Sequence, residues 1–163
     1  MKVAVYGAGD VGACFGGRLA RAGADVHLIA RGDHLDALRG DGLRVESVDG
    51  DFSADLPATD DPADIGRCDV VLFSVKPLDT AAAAREFGLL LGDDTAVVSL
   101  QNGLDNEETL VAEIGQEHVM GGVAHIFSTI AEPSVVEHTG GPTSFTFGEL
   151  DGARSDRAER FLE

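Results

Sequence analysis

The sequence predicts an α/β fold, a doubly wound and mainly parallel sheet with helices on both faces. Three features predict it. An apolar strand, a glycine-rich turn, an amphipathic helix and a second apolar strand follow one another within the first ~30 residues, the size of one βαβ unit. Residues 69–75, Asp-Val-Val-Leu-Phe-Ser-Val, are apolar almost throughout, as suits a strand covered on both faces. Strands alternate with helices through most of the chain and then give way to strands alone, so the late strands are free to run antiparallel.

Residues 2–6 form the first strand, and Gly7-Ala8-Gly9-Asp10-Val11-Gly12 follows at once. Val11, Phe15, Leu19 and Ala22 then recur at spacings of three and four, the period of one helical face, until Gly23 ends the helix. Residues 24–30 make the second strand. Asp33 is placed to cap a short helix whose apolar side is Leu35 and Leu38. Residues 43–48 and 52–56 flank Asp49-Gly50, a favoured hairpin dipeptide, and read as an excursion from the main sheet. A polar connection, 60–67, leads to the apolar strand at 69–75. Helix is expected over 80–91, strand over 95–100 and helix over 106–114, with Asp105 and Glu108 spaced as a capping box. Strands are expected over 119–129, 134–138 and 144–147, with Gly140-Gly141-Pro142 as a turn. Residues 155–163 begin a helix after the candidate cap Ser155. Its apolar Ala158, Phe161 and Leu162 have no later element to meet, which points to an absent second domain; docking back on this domain is the alternative.

The 163 residues amount to one domain, and 44% hydrophobic residues suffice for a core. No apolar run approaches the ~20 residues that span a bilayer, and residues 1–5 lack the pattern of a signal peptide, so a cytoplasmic location is expected. With 29 acidic residues against 12 basic the net charge is -17, which disfavours nucleic acid and anionic membrane as partners. Such a surface suits high salt, where screening falls to ~3 Å at 1 M and self-repulsion fades; an ordinary acidic protein is the alternative. Cys14 and Cys68 are far apart and read as buried thiols, and His27, His34, His118, His125 and His138 show no metal-like spacing.

Placed between a strand and a helix, the glycine turn acquires a chemical meaning. Gly7 permits the tight turn, Gly9 lets backbone approach a diphosphate, and Gly12 lets helix pack on strand. The helix start offers free N–H groups and about half a positive charge. The plain alternative is a turn that only joins two elements. At the end of the second strand, where NAD-preferring domains place an acidic residue on the ribose, this chain has Ala30-Arg31. A guanidinium can pair with the 2'-phosphate of NADP, a contact of ~1.5 to 3 kcal/mol; otherwise Arg31 is a solvated surface residue. Lys76, one of two lysines, ends the apolar strand at the carboxyl edge, where open α/β sheets bind ligands. It offers a charge to phosphate or substrate, or is merely exposed. Asn102, after the next strand, offers its amide to the nicotinamide ribose or substrate, or serves the turn.

Gly7 to Gly12, Phe15-Gly16-Gly17-Arg18-Leu19, Ile29-Ala30-Arg31, Ser74-Val75-Lys76, Gln101-Asn102-Gly103 and Gly121-Gly122-Val123-Ala124-His125 together resemble the amino-terminal domain of the ketopantoate reductases (2-dehydropantoate 2-reductases) over nearly the whole chain. The resemblance implies a Rossmann-like domain over 1–150, with 151–163 leading to a helical carboxyl-terminal domain. It implies that Gly7, Ala8, Gly9, Asp10, Val11 and Gly12 bind the NADP(H) diphosphate and that Arg31 faces the 2'-phosphate. Lys76 and Asn102 would line the cofactor and substrate cleft, and the segment after His125, including Phe127, would pass the cofactor by its backbone. The implied reaction is hydride transfer from NADPH to 2-dehydropantoate, giving pantoate for pantothenate and coenzyme A synthesis. The family's proton-donating lysine and cofactor-side glutamate lie in the second domain. Nothing in this chain matches them, so the chain is expected to bind NADP(H) without turnover.

The partner expected is therefore a small-molecule 2-keto acid, ketopantoate, and a homo-oligomer is allowed for because helical second domains often carry subunit contacts. Two other readings stand beside this one: an NAD(P)-sensing module of a transporter, which usually carries an acidic residue where Arg31 stands, and the cofactor domain of another NADP-dependent 2-keto acid reductase.

Overall fold

A computed structural model describes residues 1–162. Nine strands form one sheet: β1 (Lys2–Tyr6), β2 (Asp25–Ile29), β3 (Leu43–Ser47), β4 (Phe52–Ala54), β5 (Ala58–Thr59), β6 (Val70–Phe73), β7 (Ala96–Ser99), β8 (Val119–Glu132) and β9 (Val135–Glu149). Five helices accompany them: α1 (Asp10–Arg21), α2 (Gly32–Asp41), α3 (Thr80–Glu86), α4 (Asn106–Ile114) and α5 (Asp156–Leu162). The spatial order is β4-β3-β9-β8-β7-β6-β1-β2-β5. All neighbours pair parallel except β3 with β4 and β8 with β9, so the mainly parallel sheet and its antiparallel late strands are as expected.

The alternation of side chains along β1 explains why both faces are covered. Val3 and Val5 point into one core with Phe15 of α1, Leu28 and Leu72, while Ala4 and Tyr6 point into the other with Phe73, Ala83 and Leu110. β6 is buried at every position, as its unbroken apolar run requires, and each such Val or Leu contributes about 1.5–3 kcal/mol when fully buried. Among the described residues no helix is long and apolar enough to cross a membrane. Cys14 and Cys68 are buried free thiols, and burial pushes the Cys68 thiol up to about 11.

Several local expectations are corrected. Asp33 does not cap α2: Arg31 occupies that position, with Asp33 inside the first turn. Asp105 does stand at the N-cap of α4, but its side chain makes no capping bond. The 43–54 hairpin is no excursion, because β3 pairs with the first part of β9 and so joins the main sheet. Residues 58–59 form β5, a two-residue edge strand too short to read in the sequence. The helix expected over 80–91 tightens to a 3-10 turn at Phe87–Leu90.

Gly140-Gly141-Pro142 does not reverse the chain. It lies inside β9 opposite a register shift around Phe127, where Gly140 and Gly141, with φ 156° and 93°, accommodate a bulge; the reversal comes at Ser134, with φ 63°. The apolar face of α5 does find a partner: Phe161 packs on Phe147 and Phe145, ring centroids 4.6 and 5.8 Å apart, and Ala158 joins the same core. Arg157 then pairs with Glu149 of β9. α5 thus packs on β9, although Leu162 stays exposed. Glu163 lies outside the described residues.

Candidate functional site

The carboxyl ends of β6, β1 and β2 lie side by side in the sheet, and each leads into one of the residues singled out in the sequence. Lys76 follows β6, the glycine turn follows β1, and Arg31 follows β2. Because β1 lies between the other two, the two cations flank the turn. Together they line a groove of about 400 Å³ with Tyr6, His34, Ser74 and Glu86.

The turn is held rigidly from below. The Gly7 and Ala8 N–H groups both donate to the Ile29 carbonyl, at 3.2 and 2.8 Å, and the Ser74 hydroxyl donates to the Gly7 carbonyl at 2.8 Å. Gly7 has φ +88°, and a Cβ there would meet the Val75 nitrogen at 2.8 Å, so glycine is required twice over. A Cβ on Gly12 would lie 2.3 Å from Ser74 Oγ and 2.7 Å from the Gly7 carbonyl oxygen. Gly12 therefore serves the packing of α1 on β1.

Gly9 differs from both. Its φ of -75° suits any residue, and a Cβ there would have only the Gly7 carbonyl oxygen, at 4.0 Å, for company. The fold has no use for a glycine at this position, so the space kept clear is available to a ligand. Gly9 is also the N-cap of α1 and provides no side chain to its free N–H groups. Asp10 and Val11 open the helix beside the groove, and Asp10 places a carboxylate in its first turn. A diphosphate fits this cradle by shape and by the positive end of the helix.

Further residues, missed in the sequence, complete the groove. The Ser134 N–H donates to His34 Nδ1 at 3.1 Å, which leaves the ring proton on Nε2 to donate to the Ala8 carbonyl at 2.8 Å. The imidazole thus ties the turn to the β8–β9 reversal. Tyr6 is 2% exposed, and its ring packs on Phe73 with centroids 5.7 Å apart. Its hydroxyl donates to Glu86 Oε2 at 3.2 Å, and Arg31 Nη2 donates to the same oxygen at 3.0 Å. Burial, and then the Glu86 charge, pushes the Tyr6 phenol up to about 12. Tyr6 is the sole tyrosine and directly precedes the glycine turn, a placement that could have drawn notice; Glu86 lies 55 residues from Arg31 and carried no such mark.

Asn102 and Phe127 do not line this groove. Asn102 is exposed after β7, one strand beyond Lys76, with its carbonyl accepting from Asn106 Nδ2 at 3.1 Å. Its neighbour Gln101 donates to the Val75 carbonyl and to Thr80 Oγ1, both at 2.8 Å, and so props the segment that bears Lys76. Phe127 is 70% exposed on β8, and from that strand it is Ile130 that reaches the groove. Across β2, β1, β6 and β7 the edge spans roughly 14 Å at ~4.8 Å per strand, enough for an extended dinucleotide to reach Asn102. A second hollow of about 500 Å³, at Arg67, Asp94 and Arg157, has neither a glycine turn nor a helix start of this kind.

The chain is similar to known proteins over nearly its whole length. Residues 3–152 match the family model described as ketopantoate reductase PanE/ApbA. A 2-dehydropantoate 2-reductase of Halobacterium salinarum is 37% identical over 159 residues, covering 96% of this chain and 52% of that protein. One from Nostoc is 33% identical over 138 residues, covering 84% of this chain and 43% of the other. The crystal structure of 2-dehydropantoate 2-reductase from Geobacter metallireducens superposes with a TM-score of 0.91 at 35% identity, covering 99% of this chain and 53% of that one. The chain spans about half the length of the relatives it matches.

Proposed function

For a chain that belongs to the ketopantoate reductase PanE/ApbA family, we propose that residues 1–150 are the NADP(H)-binding domain of a 2-dehydropantoate 2-reductase, with 151–163 leading toward a second domain. The observation that carries the reading is Gly9, a glycine that the fold does not need, at an uncapped helix start between two cations. Gly7, Ala8 and Gly9 form the seat of the diphosphate, and the first backbone N–H groups of α1, from Asp10, Val11 and Gly12, point their dipoles at it. Arg31 meets the 2'-phosphate. Lys76 and Asn102, which follow the adjacent strands β6 and β7, orient the nicotinamide end and the carboxylate or keto oxygen of a 2-keto acid, and the segment after His125, including Phe127, passes the cofactor by its backbone. The bound dinucleotide supplies the hydride that reduces ketopantoate to pantoate; this chain's residues bind, orient and neutralise charge.

The family resemblance assigns the proton donor to the second domain, so in this reading the chain by itself binds NADP(H) without turning over ketopantoate. The location is cytoplasmic, where the acidic surface tolerates a cytosol of high salt. Titration of wild type and Arg31→Ala with NADPH and NADH tests the proposal. Arg31→Ala should weaken NADPH ten- to a hundredfold and NADH little. Equal losses for both nucleotides would remove Arg31 from this role.

A further inference from the structure

Glu86 closes α3 and lines the groove together with Arg31, and its carboxylate is held by two hydrogen bonds. One oxygen accepts both the Arg31 guanidinium, at 3.0 Å, and the Tyr6 hydroxyl, at 3.2 Å. Tyr6 is fixed by burial and by its contact with Phe73, so the phenol anchors the carboxylate where the guanidinium waits. The arginine expected to recognise a 2'-phosphate therefore already has an anion.

We infer that Glu86, positioned by Tyr6, is a specificity-determining residue that counters Arg31 and widens the site to accept NADH as well as NADPH. This rests on the dinucleotide reading of the groove. A 2'-phosphate carries about -1.5 to -2 charge and must displace or crowd the carboxylate to reach the guanidinium. The 2'-hydroxyl of NADH meets the opposite situation, because it can donate to the carboxylate as to the acidic residue of an NAD-preferring domain. In those domains the acid stands at the end of the second strand. Here it comes from α3, and the strand end carries the arginine.

The Arg31 and Glu86 side chains are 69% and 54% exposed, so solvent and salt reduce the effect. Titration of the whole chain with NADPH and with NADH at low salt gives the ratio of their dissociation constants. Glu86→Gln should raise the preference for NADPH about fivefold, by tightening NADPH and weakening NADH. Tyr6→Phe, which loosens the carboxylate without removing charge, should move the ratio the same way by less, and 1 M salt should shrink both shifts. A merely structural role for Glu86 would change both affinities together and leave the ratio alone. Binding of both nucleotides with an unchanged ratio in Glu86→Gln overturns this inference and spares the dinucleotide reading; binding of neither to wild type overturns both.

Discussion

Ser74 and Gly7, each one residue past the end of the adjacent strands β6 and β1, are joined by a hydroxyl-to-carbonyl hydrogen bond of 2.8 Å, so the segment leaving β6 holds the turn that ends β1. The same hydroxyl oxygen fills the space that a Gly12 side chain would need. One serine thus contributes to both the shape and the polarity of the turn. Ser74→Ala should cost about 1 kcal/mol of stability and weaken NADPH and NADH alike, since it loosens the seat and not the 2' end. Urea denaturation with the two titrations checks this; selective loss of one nucleotide would contradict it.

Gly12→Ala should be the more damaging change. Its Cβ meets a backbone oxygen at 2.7 Å as well as Ser74 and Val5, so α1 must move off β1. A loss of about 1–3 kcal/mol in denaturant unfolding is expected, with nucleotide binding weakened by the displacement.

Tyr6 gives a direct optical readout, because the chain has one tyrosine and no tryptophan. Its phenol should titrate near pH 12 in tyrosinate absorbance, against the ordinary value of 10.0. A raised folded value means that this contribution to stability is intact below pH 10 and is lost as pH climbs toward 12. Tyr6→Phe should flatten that part of the stability profile, and Glu86→Gln should bring the titration down.

Arg157 and Glu149 fasten α5 to β9 with side chains only 18% and 14% exposed. The guanidinium's hydrogen bond holds the Glu149 carboxyl below its usual range. With the folded value depressed, the stabilisation is present above the ordinary glutamate value of 4.5 and is lost as pH falls through the folded one. Arg157→Ala should cost about 1.5 kcal/mol at pH 7 and less in acid, by urea denaturation at each pH.

The architecture was legible because its physics is local. The βαβ unit shows as a change of period from strand to helix, and β6 shows as an unbroken apolar run. The places of the 43–54 hairpin and of the glycines at 140–141 are not legible in the sequence because their partners are distant: β3 joins the sheet only through β9, and whether a glycine pair bends a strand or reverses it depends on the strand opposite. The docking of α5 turned on aromatic partners in β9 that no helical pattern reveals. At the site, the turn, Arg31 and Lys76 followed from strand ends, whereas Glu86 and His34 enter by tertiary contacts from elsewhere in the chain.

The net charge of -17 gives a prediction for the whole molecule. Self-repulsion across such a surface is screened over ~8 Å at physiological salt and ~3 Å at 1 M, so the unfolding temperature should rise from low to molar potassium chloride. A flat response would show that the acidic surface is not adapted to salt.

Gly9→Ala tests the central claim most directly, measured by calorimetric titration with NADPH and thermal unfolding of the same sample. A methyl group there meets no protein atom beyond its chain neighbours closer than 4.0 Å, so unfolding should be little changed while NADPH binding weakens at least about tenfold, the methyl taking the place of the diphosphate. Undiminished binding of NADPH by a stably folded Gly9→Ala would show that the diphosphate does not sit on this turn.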